Sequence, residues 1–74
     1  MVASEKVKAE ITGNVWKIVA QAGDSLEEEQ TILIMESMKM EIPVMAPVKG
    51  RLKELLVKEG QEVSEGQDLA VIET

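Results

Sequence analysis

The chain has 74 residues, with 8 Lys+Arg against 14 Asp+Glu, a formal net charge of −6, and neither histidine nor cysteine. That composition excludes disulfides, thiolate nucleophiles, Ser-His-Asp and Cys-His catalysis, and metals held by histidine or cysteine. An acidic chain without a dense basic run is no nucleic-acid binder, and its length allows a single domain over 1–74.

Hydrophobic residues make up 45% of the chain and Trp16 is the one aromatic, so a core must be built from Val, Ile, Leu, Met and Ala. Trp16 itself reads as a partly buried flank of that core. The N-terminus lacks the residue order of a signal peptide, and no apolar run reaches membrane-spanning length. A cytoplasmic monomer is the expectation, with no membrane partner.

In chain order, Val7, Ala9 and Ile11 alternate with Lys6, Lys8, Glu10 and Thr12, the pattern of a half-buried strand. Val15 to Ala20 is a second β-capable stretch, closed by a turn at Ala22-Gly23-Asp24. Ile32-Leu33-Ile34-Met35 is an apolar run of strand length, and Ile42, Val44 and Met45 follow a bend centred on Met38-Lys39. Pro43 and Pro47 mark a sheet edge or a bend. Leu52 to Val57, a turn at Glu59-Gly60-Gln61, and Leu69 to Ile72 complete the set. Helix competes for 27–36 and 51–58 on propensity, but the short runs and their glycine and proline punctuation favour strands.

The chain repeats itself. Residues 13–36 lie on 50–73 without a gap: Gly13 falls on Gly50, Gly23 on Gly60, Glu28 on Glu65, Gln30 on Gln67 and Glu36 on Glu73. The apolar positions follow, Val15 with Leu52, Leu26 with Val63, and Ile32–Met35 with Leu69–Ile72. Each copy is too small to bury its own apolar face, so the two should share a single core. The expected fold is all-β: seven or eight short strands in a flattened β-barrel or compact sandwich of two halves related by an approximate two-fold axis. The joining hairpin, 37–49, should occupy one pole and the chain termini the other.

That hairpin carries Glu36-Ser37-Met38-Lys39-Met40-Glu41. Two-residue hairpin turns favour Asn-Gly or Asp-Gly, because primed turns need positive φ, and Met-Lys is a poor substitute. Glu36 and Glu41 would also face each other as like charges. Local folding preference is overruled at this point, which marks it for function. The structural reading makes Met38 and Met40 caps of the core with Lys39 snorkelling between them. The functional reading makes Lys39 an accessible amine for covalent attachment, between two soft apolar groups that a modifying enzyme can recognise.

Met38-Lys39-Met40 resembles the attachment motif of biotinyl domains, the carriers of biotin-dependent carboxylases. The resemblance runs from about Val7 through Glu73 and includes Gly13, Ala22-Gly23-Asp24, Ala46-Pro47 with Gly50, Glu59-Gly60 and Glu65-Gly66-Gln67. It is nearest to small free-standing biotin/lipoyl attachment proteins. The resemblance implies covalent biotin on Lys39, installed by a biotin protein ligase. Met38 and Met40 would be flanking recognition residues, with Glu36, Ser37 and Glu41 as further ligase contacts. It implies a non-catalytic carrier that shuttles carboxyl-biotin between biotin carboxylase and carboxyltransferase sites, with no catalytic residue and no metal of its own.

The chain departs from that family pattern in three places. Ser37 stands where many relatives have alanine. Glu29 stands where the second copy has Gly66, so positive φ there would strain a non-glycine residue. No residues are spare for the protruding loop of some biotin carriers, so the compact, thumbless form is expected.

Two other functions compete with the biotin carrier. A lipoyl carrier, with lipoate on the same lysine, is the nearer; its lysine more often follows aspartate. An unmodified adaptor using the Met-flanked hairpin is the other. Carboxylate pairs such as Glu27 with Glu28, or Glu36 with Glu41, read as solvated charges rather than an active site. The acidic stretch 24–29 reads as a solvated loop face or as an orienting surface for a basic ligase.

Overall fold

The computed structural model describes residues 3–74. Eight strands follow one another: β1 (Ser4–Lys8), β2 (Gly13–Ile18), β3 (Ser25–Leu26), β4 (Thr31–Ser37), β5 (Met40–Met45), β6 (Gly50–Leu55), β7 (Glu62–Val63) and β8 (Asp68–Glu73). They form two antiparallel four-stranded sheets, ordered β1-β8-β6-β3 and β5-β4-β2-β7, packed face to face as a flattened sandwich of 40 × 19 × 17 Å. No helix occurs among the described residues, so none is long and apolar enough to cross a membrane. The stretches that compete for helix, 27–36 and 51–58, form none: 31–36 and 51–55 are strand, and the rest is turn or irregular chain.

The two copies take the same structure residue by residue. β2 and β6 share one burial pattern, with Val15 and Leu52 pointing inward, and β3 and β7 share another. Backbone bonds repeat as well. Gly23 N–H donates to the Leu52 carbonyl at 2.7 Å, and Gly60 N–H to that of Val15 at 2.7 Å. Each copy thus places its turn on the other copy's strand. The equivalence reaches beyond the repeat read from sequence: β1 corresponds to β5, with Val7 on Val44 and Ala9 on Ala46.

The single core expected from sequence is two clusters. Val7, Ala20, Leu26, Ile32, Ala46, Leu52, Ala70 and Ile72 form the first. Ala9, Val15, Leu33, Met35, Val57, Val63 and Leu69 form the second, and Val44 packs against both. Each cluster draws on both copies, so neither copy has a core without the other. A long, thin body cannot gather these side chains around one centre, and the two-fold relation places one cluster towards each pole.

Strand ends differ from the expectation by about two residues. β2 and β6 begin at Gly13 and Gly50, and the chain has left the sheet by Ala20 and Val57, which are buried but not in strands. β1 ends at Lys8, and Ala9 is bonded to the turn at Gln67. Of the two forms expected, the sandwich is the one adopted, and β1, β3, β5 and β7 are its edge strands. Pro43 sits in β5, where its missing N–H leaves no ladder gap, and Lys6 and Lys8 guard β1. Lys8 Nζ donates to Asp68 Oδ1 at 2.7 Å, tying β1 to β8. This bond first, with the nearby charges of Lys8 and Lys6, holds the Asp68 carboxyl below its ordinary value.

Trp16 is not a core flank. Register shifts between Val15 and Lys17 against β4, so Trp16 is a bulge residue turned to solvent and 47% exposed, while Val15 keeps the inward position. Glu29 does take positive φ, at 71°, as its counterpart Gly66 does at 86°. Its N–H donates to the Ala46 carbonyl at 2.8 Å, and that bond holds the strained turn. Glu29→Gly is expected to stabilise the fold by about 0.5–1 kcal/mol, the relieved strain less the extra freedom of an unfolded glycine. The urea midpoint should rise at unchanged slope.

The two poles have separate neighbours. The β4–β5 turn lies with Thr12, Gly13 and Val63, whereas the chain ends lie with Gly50 and Leu26. Ser4 pairs with Glu73, and Thr74 N–H donates to the Ala3 carbonyl at 2.9 Å, so both termini share the pole away from the turn.

Candidate functional site

β4 and β5 form a hairpin whose last pair is Ser37 with Met40, which leaves Met38 and Lys39 as a two-residue turn. Their φ angles are 51° and 66°. Positive φ at both central positions is what a type I′ turn requires, and neither residue is glycine or asparagine. Each such residue costs about 1–2 kcal/mol, so the hairpin holds the pair against local preference.

The base of the hairpin supplies that hold. Met35 is fully buried beneath it and Ile42, its partner on β5, is half-buried. The Ser37 hydroxyl donates to the Thr12 carbonyl at 3.0 Å, while Thr12 Oγ1 accepts from the Glu65 N–H at 3.0 Å. Gly13 packs so tightly under the tip that a Cβ there would stand 2.5 Å from the Glu36 carbonyl oxygen. The tip therefore stands on a base fixed by packing and hydrogen bonds.

The flanking residues divide sharply. Met38 is 92% exposed and Met40 63%, so neither caps the core, and the structural reading of the two methionines fails. A two-residue turn at the end of a hairpin has no core beneath its side chains. Lys39 is exposed and takes part in none of the ion pairs among the described residues. Glu36 and Glu41 lie directly opposite each other, both exposed. Ser37 is half-buried and its hydroxyl is committed to Thr12, so it anchors the hairpin.

Thr12 is the member of this site that sequence reasoning missed. Its signal was present: Lys49 occupies the matching position of the other copy, and this mismatch falls beside the one hairpin that carries Met-Lys-Met. The other candidates do not converge. Glu27 and Glu28 are exposed in the turn before β4. A groove of about 440 Å³ runs between the edges of β1 and β5 over Val7, Val44 and Ala46, but no residue from Glu36 to Glu41 lines it. Its ionisable residues are exposed, and no buried polar or charged residue occurs among the described residues. No group of three or more acidic residues that could hold a metal ion occurs there either.

What this arrangement offers chemically is one primary amine on a protruding, rigidly based turn, with apolar thioethers on both sides. It fits a group added in trans by another protein.

Three comparisons with known proteins bear on that reading. A family model described as "Biotin-requiring enzyme" matches residues 2–72. A biotin/lipoyl attachment protein of Bacillus subtilis is 48% identical over 63 residues, covering 85% of this chain and 86% of that one. A biotinylated protein, the TB7.3 homolog of Mycobacterium leprae, is 39% identical over 69 residues, covering 93% and 97%. Among solved structures, the urea carboxylase of Kluyveromyces lactis superposes with a TM-score of 0.90 at 38% identity, over 95% of this chain and 6% of that one.

Proposed function

The chain belongs to the biotin/lipoyl attachment family, whose members are non-catalytic carriers, and we propose that this one is biotinylated on Lys39 and carries carboxyl groups from a biotin carboxylase to a carboxyltransferase. The observation that carries the proposal is the tip itself: an exposed lysine between two exposed methionines, held at positive φ on a buried base. Nothing in a carrier's own fold requires that combination, and a ligase approaching from solvent can use all of it.

In attachment the Lys39 amine attacks the acyl carbon of biotinyl-adenylate, an amide bond forms, and AMP leaves. The adenylate supplies the activation and the ligase the base, so this chain needs neither histidine nor cysteine. Biotin, once attached, supplies the ring nitrogen that carries the carboxyl group. The chain's own residues present the arm: Met35 and Ile42 root the hairpin, and Ser37 with Thr12 fixes its base. Tethering keeps the arm's head at high local concentration near both enzyme sites.

The proposal is tested by incubating the protein with biotin, ATP and a biotin protein ligase, or with lipoate, ATP and a lipoate ligase, and mapping the adduct by mass spectrometry. Biotin on Lys39 is expected. A lipoyl adduct alone would favour the second reading, which the Bacillus subtilis relative's description as a biotin/lipoyl attachment protein keeps in play.

The pseudo-symmetry supplies a further check. A Cβ on Gly13 would stand 2.5 Å from the Glu36 carbonyl oxygen, and one on Gly50 2.6 Å from that of Glu73. Gly13→Ala and Gly50→Ala should therefore destabilise alike, by about 1–3 kcal/mol in urea titrations. Only Gly13→Ala displaces the base of the tip, so it alone should slow biotin loading of the folded protein. Equal loading rates for the two would show that tip geometry does not matter to the ligase.

A further inference from the structure

We propose that the thioethers of Met38 and Met40 are sites of reversible oxidation by hydrogen peroxide, and that their sulfoxides close Lys39 to the ligase. The inference rests on the reading of Lys39 as the attachment site.

The chain has no cysteine, so its thioethers are among the first groups a peroxide meets. Among the described methionines exposure falls steeply: Met38 92%, Met40 63%, Met45 48% and Met35 0%. The two most exposed stand immediately before and after Lys39. On a two-residue turn, a protein that grips the lysine from solvent must also touch both neighbours. Oxidation changes those neighbours from soft and apolar to polar and chiral, while Met35 keeps the hairpin rooted.

The step balances without a further reactant. The peroxide O–O bond breaks, one oxygen bonds to the sulfur lone pair, and the other leaves as water with both protons. Sulfur loses two electrons and peroxide gains them. A sulfoxide reductase with a dithiol reverses it, returning the thioether with water and a disulfide.

The test treats unmodified protein with hydrogen peroxide, removes the excess with catalase, and maps sulfoxides by peptide mass. Loading is then measured with biotin, ATP and limiting ligase. Met38 and Met40 should oxidise ahead of Met45, with Met35 spared. The initial loading rate should fall roughly tenfold or more, and sulfoxide reductase should restore it. Met45→Leu should keep the loss. The double variant Met38→Leu with Met40→Leu should show the same rate before and after peroxide, whatever that rate is. Native loading by protein oxidised at both positions overturns the inference, as does earlier oxidation of Met45 or loss of the folded circular dichroism signal on oxidation. Absence of any adduct on Lys39 in the reduced protein overturns the underlying attachment reading as well.

Discussion

Lys39→Arg is expected to abolish biotin loading while leaving the fold intact. Arginine keeps the positive charge and much of the length, but its guanidinium stays protonated and cannot attack an acyl-adenylate. The native side chain is exposed and makes none of the ion pairs found among the described residues, so the urea midpoint should not move. Intact mass after ligase treatment should show unmodified protein only, and, on the proposed function, a carboxylase assay supplied with the variant as its carrier should fall to background. Lys6, Lys8, Lys17, Lys49, Lys53 and Lys58 remain in the variant, and an adduct on any of them would show that the tip does not define the site.

Leu52→Ala is expected to have the largest effect on stability. Leu52 is fully buried in the cluster nearer the termini, beside Ile72 and Ala70, and its backbone also bonds the turn of the first copy in both directions. Truncating such a leucine costs about 2–5 kcal/mol, the lost transfer energy plus the cavity left behind. A domain of this size holds only about 5–10 kcal/mol in total, so the melting temperature should drop by roughly 10 °C or more. Because Leu52 lies in the cluster remote from the tip, loading of the still-folded fraction in the cold should proceed at the native rate. A drop of only a degree or two would mean that the two clusters can repack as one.

Much of this architecture was legible from the chain because duplication doubles every signal. A lone Gly23-Asp24 turn is weak, but Gly60 repeating it made the strand–turn–strand unit readable. The bend at Met38-Lys39 and the facing pair Glu36 and Glu41 followed from apolar runs on either side. Glu29 announced its strain by standing where Gly66 should be matched. What escaped was set by contacts across the fold. β3 and β7 are two residues long, too short for any periodicity, and exist because β6 and β2 offer them a ladder. Trp16 reads as core by composition, and only the bulge on β2 turns it out. The correspondence of β1 with β5 is almost silent in sequence, since Lys6 stands on Pro43 and Lys8 on Met45, yet the buried Val7 and Ala9 match Val44 and Ala46. Thr12 left one mark, its mismatch with Lys49 of the other copy. Its two hydrogen bonds, one accepted from the Ser37 hydroxyl by its carbonyl and one from the Glu65 N–H by its Oγ1, form only across the fold.

The pairing of Ser4 with Glu73 puts both chain ends side by side, remote from Lys39. A polypeptide joined before Ala3 or after Thr74 would therefore meet the body at the pole opposite the β4–β5 turn. The same outline occurs within a far longer chain, the urea carboxylase of Kluyveromyces lactis, of which it makes up 6%. A covalent joint at that pole leaves the β4–β5 turn uncovered by the joint itself, so the same body can be fused without altering the hairpin.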